Sequence, residues 1–194
     1  MTNTASTAHQ ILDQARSLIA SGGYSGFSYA DIASRIGIRK PSIHHHFPTK
    51  AELVQVLLAQ YRGQARKGLA ALQTHTADPQ AQLRQYIGYW EGCISDASAP
   101  ICLCALLSAE LPVLPEAVAA EVTAHFRDLS TWLAAVFAQG QQQGVFQLPA
   151  TPEQEAQAFM ATVHGAMLSA RAYGDPALFG HIMQPLLERL SLSG

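Results

Sequence analysis

Charge is scarce in this sequence. Only 13% of the 194 residues are Asp, Glu, Lys or Arg, which excludes a disordered polyelectrolyte. Cysteine is scarce too. Cys93, Cys102 and Cys104 are too few, too clustered and odd in number for a disulfide framework, so a reducing cytoplasm is the expected compartment. No apolar run is long enough to span a membrane. The opening residues, MTNTASTAHQ, lack the basic and then apolar pattern of a secretory signal. Runs of β-branched residues, internal repeats and low-complexity tails are missing as well. No phosphate loop, nucleophile-elbow serine or paired carboxylates tied to a cleft stand out, so an enzyme is not expected and no cofactor is implied.

What is present reads as helix. Hydrophobic residues make up 48% of the chain, and Ala, Leu and Gln dominate, which favours an all-α fold. Ile11, Ala15, Leu18 and Ile19 recur at helical spacing until Gly22-Gly23. Ser28 followed by Asp31 is a capping box with Asp in place of Glu. Behind it, Ile32, Ala33 and Ile36 form an apolar face that Gly37 closes. Pro41 suits the first turn of a short third helix, which Pro48 ends. Thr49 with Glu52 caps a long fourth helix. Asp78-Pro79, Pro100, Pro115, Thr151-Pro152 and Asp175-Pro176 mark further starts, the last helix running to about Leu192. The count is about nine helices.

Charge is also uneven. Residues 1–50 hold five basic side chains (Arg16, Arg35, Arg39, Lys40, Lys50) against Asp13 and Asp31, whereas the rest holds seven basic and twelve acidic. A small basic module on a larger acidic body is one reading, and chance clustering is the other.

Asp31–Ile36, the Gly37-Ile38 turn and Pro41–Phe47 have the proportions of a helix-turn-helix. The wording is more specific than the pattern. GYSGFSYADIASRIGIRKPSIHHHFPTKAEL resembles the N-terminal signature of the TetR family of repressors. The match lies in Gly23-Tyr24, Ser28, Asp31-Ile32-Ala33, Gly37-Ile38, Lys40-Pro41-Ser42-Ile43, His46-Phe47 and Lys50 to Leu53. His44 departs from it, standing where the family usually has a tyrosine whose hydroxyl meets a phosphate.

The resemblance implies a helix-turn-helix domain over residues 1–48 and a ligand-binding and dimerisation domain over 49–194. It implies a homodimer on a palindromic double-stranded operator, released by a small-molecule inducer, with no role at a membrane. Advancing about 100° per residue around the third helix sends Ile43 and Phe47 inward and Pro41 and His45 outward. Ser42 and His44 fall on the flanks, and His46 nearest the apolar side. Backbone N–H groups at Ser28 and at the start of this helix can hold phosphates, and Arg39 and Lys40 sit where basic groups read base edges. Lys50 resembles the family's phosphate-contacting lysine. The candidate DNA-binding set is therefore Ser28, Arg39, Lys40, Pro41, Ser42, His44, His45, His46 and Lys50. Plain solvent exposure is the alternative for each.

In the body, Ala156, Phe159, Met160, Val163, Ala166, Met167 and Ala170 form a wide apolar arc, and Phe179, Ile182, Met183, Leu186, Leu187 and Leu190 another. A four-helix dimer interface would use both, and a monomeric bundle would bury both itself. Tyr86, Trp90, Phe126, Trp132 and His164 are candidate pocket residues, with core packing as the alternative, and Tyr89 and His125 fall in the same helices. Arg171 follows an apolar stretch, so it either pairs with a carboxylate ligand or caps its helix. ICLCALLSAEL looks like a segment of one TetR subgroup, with Cys102 at a thiol through which some members sense electrophiles. Arg171 would then lower the pKa of Cys102, and a small buried hydrophobe is the alternative. A metal-responsive regulator built on His44-His45-His46 is disfavoured, because consecutive helical histidines diverge and no Asp, Glu, Cys and His cluster at i, i+4 spacing stands out.

Overall fold

The computed structural model describes residues 4–97 and 101–190. The expected helix start at Pro100 and end at Leu192 lie outside those residues. Among the described residues the protein is all-α, with nine helices and no strand. They are α1 (Thr4–Gly22), α2 (Tyr29–Ile36), α3 (Lys40–His46), α4 (Lys50–His75), α5 (Pro79–Ser95), α6 (Leu103–Ser108), α7 (Glu116–Gln142), α8 (Pro152–Tyr173) and α9 (Ala177–Leu190). A 3-10 turn over Leu111–Val113 follows α6.

The caps explain where these helices begin. Ser28 and Asp31 form the reciprocal capping box that starts α2, and Thr151 with Gln154 does the same for α8. Thr49 Oγ1 accepts the Glu52 N–H at 3.2 Å ahead of α4. Asp78 accepts from Gln80 N before α5, and Asp175 from Ala177 N before α9, at 2.9 and 3.0 Å. Gly37 ends α2 at φ 70°, a left-handed conformation that only glycine adopts without cost.

The chain packs as two compact units. The first combines residues 1–63 with 103–125, and the second combines 64–102 with 126–194. In the first, α1 packs on α2, α3 and α6, around Ile11, Ile19, Ile32, Ile43, Leu53 and Leu58, all at 0% exposure. Arg62 Nε reaches Glu121 at 3.1 Å within this unit. In the second, α9 packs on both α5 and α8, and Phe137 is ringed by Phe146 and Phe159 at 5.8 and 5.6 Å.

The two apolar arcs differ from the sequence expectation in what they face. Ala156, Phe159, Val163, Ala166, Met167 and Ala170 are buried within the protomer itself, and so are Phe179, Met183, Leu187 and Leu190. Met160, Ile182 and Leu186 are half-buried. Helix α8 instead shows solvent a separate stripe of Ala158, Ala161, Gly165, Leu168 and Ala172. A composition count could not separate these faces, because alanine populates both.

Candidate functional site

Three short segments of the first unit build a polar face on an apolar anchor. Ile43 is fully buried and Phe47 is 7% exposed, so α3 is pinned along one side. Tyr29 adds a bond across the helices, its hydroxyl donating to the Phe47 carbonyl at 2.8 Å in a buried position. Burial pushes the Tyr29 hydroxyl up to about 12, so it stays a neutral donor. The opposite side of α3 is then fixed as well. Arg39, Lys40, Pro41, Ser42, His44 and His45 are exposed and His46 is half-buried, as the helical angles require.

Ser28 is exposed at the N-cap of α2. Its N–H donates to Asp31 Oδ2 at 2.7 Å and its hydroxyl to the same oxygen at 2.8 Å. These bonds from Ser28 hold the Asp31 carboxyl below its usual range. Next to it, Lys50 is turned partly inward. Its Nζ donates to the Phe27 carbonyl and lies 4.7 Å from the Tyr24 ring centre and 4.1 Å from that of Phe27. Burial lowers its pKa, against the opposing pull of Glu110 and Asp31. An ammonium has three donors, so this carbonyl does not exhaust it.

His44 is committed in a way the sequence does not reveal. Its ring meets Tyr29 edge-on at 4.8 Å, and Nδ1 lies 3.1 Å from the Pro48 carbonyl. A carbonyl only accepts, so Nδ1 carries the hydrogen, and Nε2 donates only when the ring is protonated. Sequence reasoning also missed Tyr29 and Glu110. The Glu110 carboxylate accepts the N–H of Tyr24 at 2.9 Å and of Ser25 at 3.3 Å.

The second unit brings together some of the predicted pocket residues. Tyr86 is fully buried beside Trp132, ring centres 5.5 Å apart. Trp90 lies one turn along α5, and Cys102 is close enough to act on the Tyr86 hydroxyl. Burial drives that hydroxyl's pKa well up, with Cys102 and Tyr89 adding to the rise. The Trp132 indole N–H has no hydrogen-bond partner, whereas the Trp90 indole faces the Tyr86 oxygen and lowers that hydroxyl's pKa against the larger effect of burial. Phe126 and His164 form a second pair at 5.2 Å, and His164 Nε2 has no hydrogen-bond partner.

Arg171 is exposed in the last turn of α8, where a cation meets the negative end of the helix dipole, the second of the two placements its sequence allows. Cys102 is 1% exposed. His125 belongs to the first unit, 5.4 Å from Tyr61. Among the described residues no three His, Cys, Asp or Glu side chains cluster so as to hold a metal. No described helix is long and apolar enough to cross a membrane.

Residues 11–57 match the family model of bacterial regulatory proteins of the tetR family. Residues 79–186 match that of the tetracyclin repressor-like C-terminal domain. No curated protein matches the sequence. Among solved structures, a TetR-family transcriptional regulator from Agrobacterium tumefaciens is 58% identical, with 98% of this chain and 100% of that one covered and a TM-score of 0.96. A TetR transcriptional regulator from Legionella pneumophila is 22% identical over 99% of both chains, with a TM-score of 0.85. The reduced form of NemR from E. coli is 19% identical, covering 96% of this chain and 97% of that one at a TM-score of 0.81. The last two show the shared fold. Two family models in their expected order and a 58% identical relative along nearly the whole chain establish that this protein belongs to the TetR family of transcriptional regulators, which are DNA-binding and not enzymatic.

Proposed function

We propose that the protein is a ligand-responsive repressor that binds a palindromic operator as a homodimer and leaves it when an inducer occupies the second unit. The exposed face of α3 carries this reading. Pro41, Ser42 and His45 point away from the Ile43 and Phe47 anchors, with Arg39 and Lys40 at the helix start. Ser28, Ser42, His44 and Lys50 would position the head on phosphates, and Arg39, Lys40, Pro41 and His45 would meet base edges, with His46 at the margin. Residues 1–48 act as the reading head and 49–194 as sensor and dimer. The compartment is the cytoplasm, where the operator is.

The exposed small-residue stripe of α8, with half-buried Leu178, Ile182 and Leu186 of α9, supports a dimer seam at helical spacing. A two-fold pair reads half-sites about 34–36 Å apart, or a multiple of that. For the inducer, burial supports one of two chemistries over the other. An electrophile must reach a thiol that is 1% exposed. An apolar molecule with a hydrogen-bond acceptor would satisfy the indole N–H of Trp132, which costs about 1–3 kcal/mol left bare. The second is favoured, with Tyr86, Trp90, Cys102 and Trp132 as its walls and Phe126 and His164 beside them; Arg171 caps α8.

The test is a duplex selected from a random pool by the purified protein. Its affinity should fall steeply with salt, and Lys50→Ala should weaken every sequence alike and shallow the salt slope by about one. Binding that ignores salt contradicts the reading. A Cys102→Ser protein that responds to inducer as the wild type does would leave the thiol with a packing role only.

A further inference from the structure

The turn between α1 and α2 is closed by a residue far along the chain. Gly23 has φ 73° and its N–H bonds back to Ile19 at 2.8 Å, ending α1. The next two N–H groups, of Tyr24 and Ser25, point out of the helix, and the Glu110 carboxylate takes both. A Cβ added to Gly23 would overlap Glu110 Oε1, so the glycine serves its own backbone angle and the close approach of the carboxylate. Glu110 is itself held. Its N–H bonds to Leu107 at 3.0 Å and its carbonyl accepts from Val113 at 2.9 Å, between α6 and the 3-10 turn. Helix α6 packs on α1 within the same unit.

We propose that Glu110 is a positioning residue for DNA reading, clamping the α1–α2 turn so that Ser28 and Lys50 present their donors in fixed places. The inference rests on the DNA-binding reading above. The turn runs directly through Phe27, whose carbonyl holds Lys50, to Ser28 at the N-cap of α2. Freedom at Tyr24 and Ser25 is therefore inherited by both candidate phosphate contacts. Charge-assisted bonds to a carboxylate are stronger than neutral ones, which suits a turn that must not drift. The head is thus incomplete without a segment that follows it by half the chain. Glu110 touches no phosphate in this scheme, so losing it should change affinity without changing how many ions are released.

The experiment uses the full chain and the duplex selected by the wild type. Glu110→Ala should bind about tenfold more weakly with an unchanged salt slope, matching the loss of a hydrogen bond to a charged group. Amide exchange at Tyr24 and Ser25 should quicken in that variant while Ile32 and Ala33 stay protected. Glu110→Gln keeps one carbonyl oxygen for Tyr24 and should recover most of the affinity. Wild-type affinity and exchange in Glu110→Ala would overturn the inference while leaving the repressor reading intact. A Gln variant as weak as the Ala variant, or a shallower slope in either, would overturn it by placing the effect in charge beside Lys50. A wild type that selects no duplex would overturn both.

Discussion

The head and the body of this protein close their polar groups in opposite ways. Around α2 and α3 most caps and turns are closed by a bond, although the N-cap of α3, Arg39, makes no side-chain cap bond. Ser28 and Asp31 bond each other, Gly37 turns its N–H back to Ala33, Tyr29 reaches the Phe47 carbonyl, and Glu110 takes the α1–α2 turn. In the body, Trp132 Nε1 and His164 Nε2 lie buried without a hydrogen-bond partner. Buried donors are nearly always satisfied in folded proteins. On the proposed reading, the closed turns of the head suit a fixed reader, and a bare donor in the body is a group that a ligand would satisfy.

The largest blow to this contrast comes from Ile43. Ile43→Ala removes the fully buried anchor of α3 and should cost about 2–4 kcal/mol, measured by urea unfolding. DNA binding should fall with it. A smaller loss is expected from Tyr29→Phe, which leaves the Phe47 carbonyl bare, at about 1.5 kcal/mol; a neutral result would show that the bond is replaceable by water. Ser28→Ala removes the cap of α2 and should cost about 1 kcal/mol. Its pH signature follows from Asp31, whose carboxyl is held below the usual 3.8. A depressed native value means stability that is complete above 3.8 and lost as pH falls through the lower native value. Asp31→Asn should erase that acid limb in thermal melts taken across the range.

The smallest stability change is expected in the body. Trp132→Phe deletes a bare donor along with part of a ring, and the gain and the cavity offset, leaving the unliganded protein within about 1 kcal/mol of wild type. Inducer response should nevertheless be lost, measured as operator release. A head substitution that costs stability and a body substitution that costs only response would sharpen the comparison. A Trp132→Phe protein that unfolds early but still responds would break it.

Much of the head was legible because its signals are short-range. Ser28 and Asp31, Gly37, Pro41, and Thr49 with Glu52 lie within one turn of the groups they satisfy, and i, i+4 spacing alone places Ile43 and Phe47 inside. The body was legible only as helices. Its start signals at Asp78, Thr151 and Asp175 held, but spacing left the partners of its faces open. Most of the α8 arc is buried within the protomer, and Arg171 is exposed at the end of its helix. Periodicity tells which residues share a side and is silent on what that side meets.

The sequence by itself determined the family, the helical class, the caps and the outward face of α3, since each is a local or directly textual property. Tertiary structure alone decided that Glu110 closes the α1–α2 turn, that Lys50 leans on the Phe27 carbonyl, and that the Trp132 ring lies tilted beside Tyr86. Those contacts join residues remote in sequence, and no spacing rule encodes a partner that only packing brings near.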